Sequence, residues 1–234
     1  MKALKWAIWI ISALPFIITS LVMPALPDTV AIHFNSNWKP DGYGSKYVDY
    51  VLPIIILVFA ISFYLLIRYY EKKAEAAEDD KTRRDCSSNA KTVAISTVVV
   101  TAGFTAMQCA LLYSQAQKLS GEAIGSSLVG KITNIFIAVT MIVMGNYIPR
   151  TKRNSTVGLR ISWSMYNDIT WERSNRFGGM VLFATGIILL VISLIVSQGA
   201  GMVWALVLIA VDLVIILIYA KKVYTIQKAL DDKK

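Results

Sequence analysis

The chain has 234 residues, of which 56% are hydrophobic and only 17% are charged. Its formal net charge is +9, and its mean hydropathy of +0.55 is too high for a soluble domain of this length. These values exclude an ordinary water-soluble protein and indicate an integral membrane protein.

Six apolar blocks are each long enough to cross about 30 Å of hydrocarbon. Because only helices satisfy their own backbone hydrogen bonds in lipid at such lengths, the sequence predicts an all-α polytopic membrane protein with six transmembrane helices. We place these helices at residues 4–23, 50–70, 92–113, 128–144, 180–197 and 202–220. The first block is too long for a signal peptide and lacks an A-x-A cleavage site, so we expect a retained helix with a kink at Pro15.

Positively charged residues are concentrated on one predicted side of the membrane. The N-terminus and the segments after helices 2, 4 and 6 hold 20 Lys and Arg residues, whereas the other loops hold three, Lys39, Lys46 and Lys118. The positive-inside rule therefore predicts that both termini lie in the cytoplasm. The basic charge then reflects topology and attraction to anionic lipid, with no direct contact to nucleic acid.

This topology divides the chain into two parts. Residues 1–91 hold helices 1 and 2, an extracytoplasmic loop at 24–49 and a charged cytoplasmic loop at 71–91, while residues 92–234 hold helices 3–6 and a long cytoplasmic loop at 145–179. The charged loop is typical of either a solvated helical extension or a mobile segment. Cys86 lies in that loop and Cys109 lies within helix 3, so both are predicted to be free thiols.

The extracytoplasmic loop predicts a short strand followed by a turn, which together form a small cap. Val30, Ile32 and Phe34 recur at every second position, the period of a half-buried strand. Pro-Asp-Gly at 40–42 and Gly44 then supply turn chemistry.

His33 is the single histidine of the chain, so it cannot build a histidine-based metal site. It is either a polar contact for an extracytoplasmic ligand, a proton-sensitive switch, or a local hydrogen bond that shapes the loop, and we favour the last. The sequence also lacks a G-x-S-x-G elbow, a P-loop and a dinucleotide-binding glycine pattern. We therefore expect no enzyme activity, no catalytic residue, no metal and no cofactor.

The long cytoplasmic loop predicts structure of its own. The Gly-Asn pair at 145–146 is expected to end helix 4, and Gly158 permits a sharp bend. Ser164 or Asn167 is expected to cap a short helix at the membrane surface, and the glycines at 178–179 then lead into helix 5. On that surface, tryptophans 163 and 171 are expected to face the headgroups, with arginines 160, 173 and 176 toward phosphate.

Asp212 lies about halfway along helix 6. An ionised aspartate there costs about 2.5 to 3.5 kcal/mol on insertion scales, so it must be paired, protonated or turned into the bundle. It is either a site for a proton or ligand, or a buried polar clamp between helices. The polar candidates for a partner, Gln108 and Asn134, lie nearer the outer ends of their helices.

The order of residues in "GNYIPRTKRNSTVGLRISWSMYNDITWERSNRFGG", residues 145–179, resembles the signature of the SdpI family of bacterial membrane immunity proteins. The shared features are a G-N-Y-x-P/G start, an Asn before V-G-[IL]-R, a Trp three residues later and a second Trp near the end. The extracytoplasmic segments L-P-x-x-[IV]-x-[IV]-H-F-N and P-D-G-Y-G-S-K also resemble a small domain that often precedes this signature.

This resemblance implies a six-helix protein of the bacterial cytoplasmic membrane that gives resistance to a secreted, membrane-active peptide toxin of the SdpC type. It also implies a possible second role as a receptor that holds a small winged-helix repressor at the membrane. The matching residues in the outer loop are His33, Phe34, Asn35, Asp41, Gly42, Gly44 and Lys46, and those in the cytoplasmic signature are Asn146, Tyr147, Pro149, Asn154, Gly158, Arg160, Trp163, Trp171 and Gly179.

Two positions depart from the family pattern. Ile-Ser-Trp at 161–163 stands where T-P-W is usual, and Asn175 stands where a histidine is common. Because asparagine does not titrate near neutrality, no mechanism in this chain can use a histidine at that position.

Two other functions stay open at this stage. A small proton-coupled transporter or exporter would use Asp212, and a pure signalling receptor would use the cytoplasmic loop without giving protection.

Overall fold

The computed structural model describes residues 1–117 and 125–233, and within these ranges six helices are long and apolar enough to cross a membrane. Each predicted block falls on one of them, so the predicted fold class is confirmed. Lys118 and Lys234, which contributed to the topology prediction, lie outside the described residues. The helices are α1 Lys2–Val22, α2 Val51–Glu75, α3 Asp80–Gln117, α4 Gly125–Tyr147, α5 Asp168–Ile195 and α6 Gln198–Asp231.

Several helices extend beyond their apolar blocks because polar side chains cap them. The α3 helix takes in most of the charged loop and begins beside Asp79, whose Oδ1 accepts from the backbone N–H of Thr82 at 2.8 Å. That hydrogen bond lowers the pKa of the Asp79 carboxyl. Of the two alternatives for this loop, the helical extension is confirmed.

The separate short helix expected before helix 5 is wrong. Asn167, one of the two proposed caps, forms a reciprocal capping box with Thr170. However, the helix that begins at Asp168 continues without a break through Gly178 and Gly179. Gly179 is used for close packing against α4 and Pro149 instead of for a turn, whereas Gly178 faces Ile216 of α6.

The helices form a row in which each packs on its sequence neighbour, with α1 placed against both α2 and α3. One apolar core joins α1, α2 and α3 around Ile8, Ile67 and Val93, and a second joins α4, α5 and α6 around Ala138 and Leu189. The chain continues helically through Pro15 of α1.

Helices α4 and α5 approach each other through small residues. A Cβ on Gly179 would lie 2.3 Å from Pro149 Cγ and 2.6 Å from the carbonyl oxygen of Gly145, and a Cβ on Gly186 would lie 2.7 Å from the backbone nitrogen of Ile142. Lipid does not drive hydrophobic association between helices. At contacts this close, van der Waals packing between the two backbones holds α4 and α5 together instead.

A two-stranded antiparallel hairpin, β1 Thr29–Phe34 and β2 Pro40–Ser45, joins α1 to α2. The predicted strand is confirmed, but the segment expected to turn at 40–44 is the second strand. The turn lies at 35–39, where Asn35 Oδ1 accepts from the backbone N–H groups of Asn37 and Lys39 at 2.9 and 3.1 Å.

The burial pattern of β1 also differs from the predicted alternation. Val30 and Ala31 are both buried, whereas Ile32 is 47% exposed. The pairing with β2 is irregular on both sides of His33, and such bulges shift which face a side chain occupies.

Since the helices cross the bundle in alternating directions, the two ends differ. We call the end with both termini and the loop at 148–167 the terminal end, and the opposite end the hairpin end.

The two neighbouring glycines of α5 provide a matched test of the α4 contact. Gly179→Ala should lower the unfolding free energy by about 1 to 3 kcal/mol, because its Cβ has no room beside Pro149. Gly178→Ala should be neutral or stabilising by up to about 1 kcal/mol, since its Cβ would lie 3.5 Å from Ile216. Thermal unfolding of the purified protein in detergent measures both, and equal effects would contradict the packing described.

Candidate functional site

Side chains from both strands hold the hairpin in shape. His33 Nδ1 lies 2.5 Å from Asp41 Oδ1, so the single histidine makes a local hydrogen bond, as favoured from the sequence. At the base, Lys46 donates to the carbonyl oxygen of Leu26 at 3.3 Å and pairs with Asp28 Oδ1 at 3.0 Å. The His33 side chain stays 71% exposed.

The other predicted ligand-facing residues also contribute to the hairpin's geometry. The ring of Phe34 lies 6.2 Å from that of Trp38. Gly42 and Gly44 keep β2 close to β1, since a Cβ on Gly42 would lie 2.9 Å from the Cβ of His33.

The tip of the hairpin rests on the helices. The indole of Trp38 covers Gly130 of α4 so closely that a Cβ there would lie 2.6 Å from the indole Cγ. A Cβ on Gly199, at the start of α6, would lie 2.6 Å from the carbonyl oxygen of Ser36. The hairpin therefore covers part of the hairpin end of the bundle.

A pocket of about 370 Å³ lies between the hairpin and helices α2, α3 and α4. Apolar side chains from all of these elements line it, among them Phe34, Trp38, Ile55, Leu111 and Val129. Its polar lining consists of one carboxyl, two side-chain amides and one hydroxyl, those of Asp49, Gln108, Gln115 and Thr133.

The polar groups on the α3 side of this pocket form one hydrogen-bonded cluster. Gln108 Nε2 donates to Thr19 Oγ1 at 2.9 Å and to the carbonyl oxygen of Asp49 at 3.0 Å. Gln115 Nε2 donates to Asp49 Oδ1 at 3.0 Å and to the carbonyl oxygen of Ala31 at 3.4 Å. Asp49 Oδ2 and Gln115 Oε1 are buried and lack a hydrogen-bond partner among the described residues.

Sequence reasoning missed this cluster. It considered Gln108 only as a partner for Asp212 and did not single out Asp49 or Gln115. The available signal was the spacing of seven residues between the two glutamines, which puts them on one face of α3.

At the terminal end, Asn154 organises the loop. Its Oδ1 accepts from the backbone N–H groups of Thr156 and Val157, both at 2.7 Å, and its Nδ2 donates to the carbonyl oxygen of Lys152 at 2.6 Å. The hydroxyl of Tyr70, on α2, donates to the same Oδ1 at 3.1 Å. The signature asparagine thus ties the loop to the helix bundle.

Trp171 is buried beneath this loop, with 2% of its surface exposed. Its indole Nε1 donates to the carbonyl oxygen of Thr151 at 2.9 Å, and Asn175 Oδ1 accepts from the backbone N–H of Leu159 at 2.6 Å. Gly158 has a φ of 122°, and a Cβ there would lie 2.8 Å from the Trp171 ring. The expectation that Trp171 faces the headgroups is therefore wrong, because its N–H and ring are used inside the loop.

Trp163 instead lies at the loop surface, where Lys221 of α6 stands 5.8 Å from the centre of its ring. Tyr166 packs edge-on against Tyr224 of α6 at 5.2 Å. Desolvation, with a smaller effect from the Asp231 carboxylate, raises the pKa of Tyr166.

The loop and the start of α5 also expose positive charge. Arg160, Arg173 and Arg176 are exposed and make no side-chain hydrogen bond or ion pair within the described part of the chain. Arg153 differs, since its Nε pairs with Asp168 Oδ1 at 2.9 Å. Three free guanidinium groups are suited to phosphate or carboxylate groups.

The start of the signature stabilises the end of α4. Asn146 Oδ1 accepts from Arg150 Nη2 at 3.2 Å, and the Arg150 guanidinium lies 4.8 Å from the centre of the Tyr147 ring. Pro149 packs on Gly179, so these residues join α4 to α5.

Asp212 is buried between α5 and α6 and is 5% exposed. Thr185 Oγ1 donates to its Oδ1 at 2.9 Å, while its Oδ2 lacks a partner within residues 1–117 and 125–233. Neither amide considered from the sequence pairs with it, since Gln108 bonds to Thr19 and Asn134 Nδ2 donates to the carbonyl oxygen of Gln198.

No group of three or more His, Cys, Asp and Glu side chains in the described ranges could hold a metal ion. The geometry therefore provides two surfaces for recognition, at opposite ends of the bundle. The hairpin end has an apolar pocket with buried hydrogen-bond acceptors, and the terminal end has an exposed basic surface.

Comparisons with known proteins match both ends of the bundle. The model of the SdpI/YfhL protein family matches residues 150–220, from the loop through α5 and most of α6. The chain is also 22% identical to Immunity protein SdpI of Bacillus subtilis (strain 168) over 190 residues, which is 81% of each chain. The chain is therefore similar to the SdpI family.

A second family model, a domain of unknown function designated DUF1648, matches residues 10–57. This range covers most of α1, the hairpin and the start of α2, and it includes His33 and Asp49. No solved structure matches the chain.

Five of the residues that match the SdpI signature fall into two structural groups. Asn154, Gly158 and Trp171 form the interior of the loop, whereas Arg160 and Trp163 lie at its surface. Only the second group is placed to contact another molecule directly.

Asn154→Ala should loosen the loop, because it removes the acceptor for two backbone N–H groups and the Tyr70 hydroxyl. We expect faster trypsin cleavage at Lys152, Arg153 and Arg160 in the purified protein. The control is Ser155→Ala, at an exposed neighbouring position, which should cleave like the wild type. Equal cleavage of both variants would show that Asn154 does not order the loop.

Proposed function

We propose that this chain is a membrane immunity protein that protects a bacterial cell from a secreted, membrane-active peptide toxin of the SdpC type. The observation that carries the proposal is the similarity to Immunity protein SdpI, which extends over 81% of the chain and is not confined to one loop. The match of the SdpI/YfhL family model to residues 150–220 supports the same view.

We also propose that the protein lies in the cytoplasmic membrane with both termini inside the cell. The support is the excess of 20 cations over three in the alternate segments of the sequence. In this orientation the hairpin and its pocket face the medium, from which a secreted toxin arrives. The three exposed arginines face the cytoplasm, where anionic lipid and soluble partners are available.

A structural reason favours protection by recognition over protection by chemistry. The hairpin end offers an apolar pocket with hydrogen-bond acceptors, which suits an amphipathic peptide. We propose that binding there removes toxin from the lipid, and that the loop at the other end either stabilises the fold or presents a surface to a small winged-helix repressor.

Survival of toxin-sensitive bacteria tests the immunity proposal. Cells that express the chain should survive a synthetic SdpC-derived peptide at concentrations that kill cells with an empty vector. His33→Ala should reduce protection at matched membrane levels, because it removes the cross-strand contact with Asp41. Arg160→Ala should retain protection, since Arg160 lies at the opposite end and bonds to no described residue.

Equal killing with and without the wild-type chain would contradict immunity toward that toxin. The same cells test the relay: a DNA-binding repressor should copurify with the wild type only when peptide is present, and less so with Arg160→Ala. Copurification without protection would instead favour a pure signalling receptor.

A second candidate function is proton-coupled export, and the observation that favours it is the unpartnered Oδ2 of Asp212 inside the bundle. A buried carboxyl with a free oxygen is suited to bind and release a proton. Export predicts peptide flux in proteoliposomes under a pH gradient that Asp212→Asn abolishes and Ser193→Ala, a buried control on α5, does not. Absence of flux from the wild type would count against export.

A further inference from the structure

We propose that the pocket beneath the hairpin binds an apolar peptide segment, whose N–H or ammonium group donates a hydrogen bond to Asp49. This inference rests on the proposed function, and it gives the toxin a binding site that includes residues of the hairpin, α2, α3 and α4.

The first support is a pair of buried acceptors without donors. Asp49 is 8% exposed and Gln115 is 3% exposed, and both line the pocket. The amide hydrogen bonds in the cluster go to Asp49 Oδ1, to two carbonyl oxygens and to Thr19 Oγ1, and Asp49 Oδ2 and Gln115 Oε1 find no donor among the described residues. Buried acceptors of this kind are costly unless a ligand or water satisfies them.

The second support is the chemistry of the lining. Asp49 is the one ionisable side chain among the described lining residues, and the remainder is mostly apolar. A carboxylate favours donors and cations and disfavours the phosphate group of a lipid. An apolar peptide segment provides both requirements, because its side chains suit the lining and its backbone N–H groups are donors.

The third support is access from the side. Val48, Val51 and Ile55 line the pocket and are 42%, 51% and 53% exposed. Their apolar rim lies at the start of α2, where a peptide lying in the outer part of the bilayer would meet it without first entering water. A volume of about 370 Å³ is sufficient for a short segment of the peptide and not for a whole folded toxin.

A matched pair of tryptophan substitutions on α2 tests the site. Ile55→Trp fills the mouth of the pocket, whereas Ile61→Trp adds the same bulk at a position that is 45% exposed and outside the lining. Because both positions are exposed, neither change strains the core. Asp49→Asn keeps an oxygen for Gln115 and replaces the free acceptor by a donor.

The probe is the synthetic SdpC-derived peptide, and the readout is its retention by nanodiscs that contain the full chain, relative to empty nanodiscs of the same lipid. We expect Ile55→Trp and Asp49→Asn to weaken retention at least about tenfold, consistent with the loss of a charge-assisted hydrogen bond. Ile61→Trp should retain the peptide like the wild type. Survival assays with the same variants should follow the same order.

Wild-type retention by Ile55→Trp would overturn the pocket while leaving immunity intact, provided that the cells survive. Wild-type retention that disappears when phosphatidylethanolamine is included would assign the pocket to a lipid headgroup and overturn the peptide. If the wild-type chain binds the peptide but cells die, the proposed function fails and the binding site stands.

Discussion

The structure depends on the hydrogen-bond partners that polar side chains find inside a bundle surrounded by lipid. Three threonine hydroxyls of α3 bond to their own helix, as when Thr97 donates to the carbonyl oxygen of Val93 and Thr101 donates to that of Thr97. Gln108 and Gln115 of α3 instead bond to other segments and so fix the hairpin and the start of α2. Seven buried side-chain atoms of the described residues lack a hydrogen-bond partner, and the two carboxyl oxygens among them belong to Asp49 and Asp212.

Helix α3 also connects the two ends of the protein. Near its start, Ser88 donates to the carbonyl oxygen of Arg150, and Asn89 accepts from the backbone N–H of Lys152. Near its other end, Gln115 reaches the hairpin. One helix therefore contacts both the pocket and the loop of the terminal end.

The sequence predicted the fold class because a transmembrane helix requires a long run of apolar residues, and such a run is visible in one sequence. It also located β1 and the Asn167 cap, since both are local features. It failed for α5, where the glycines at 178–179 suggested an interruption although the helix is continuous and Gly179 makes a tertiary contact with Pro149. It failed for Trp171 for the same reason, because a tryptophan near a membrane end resembles a headgroup anchor until the acceptor of its N–H is known. The cluster of Asp49, Gln108 and Gln115 joins α3 to Thr19 of α1, to Ala31 of β1 and to the residues just before α2, which are distant in sequence, and no local pattern predicts these contacts.

The most direct measurement is the reactivity of single cysteines in intact cells, in a chain whose Cys86 and Cys109 have been replaced by serine. Val48→Cys places a thiol on the exposed rim of the pocket, and Ser155→Cys places one on the loop of the terminal end. If the pocket faces the medium and binds the toxin, a membrane-impermeant maleimide should label Val48→Cys from outside, the SdpC-derived peptide should slow that labelling, and Ser155→Cys should react only after the cells are opened. Labelling of Ser155→Cys in intact cells, or labelling of Val48→Cys at an unchanged rate with peptide present, would contradict the proposed orientation or the proposed binding.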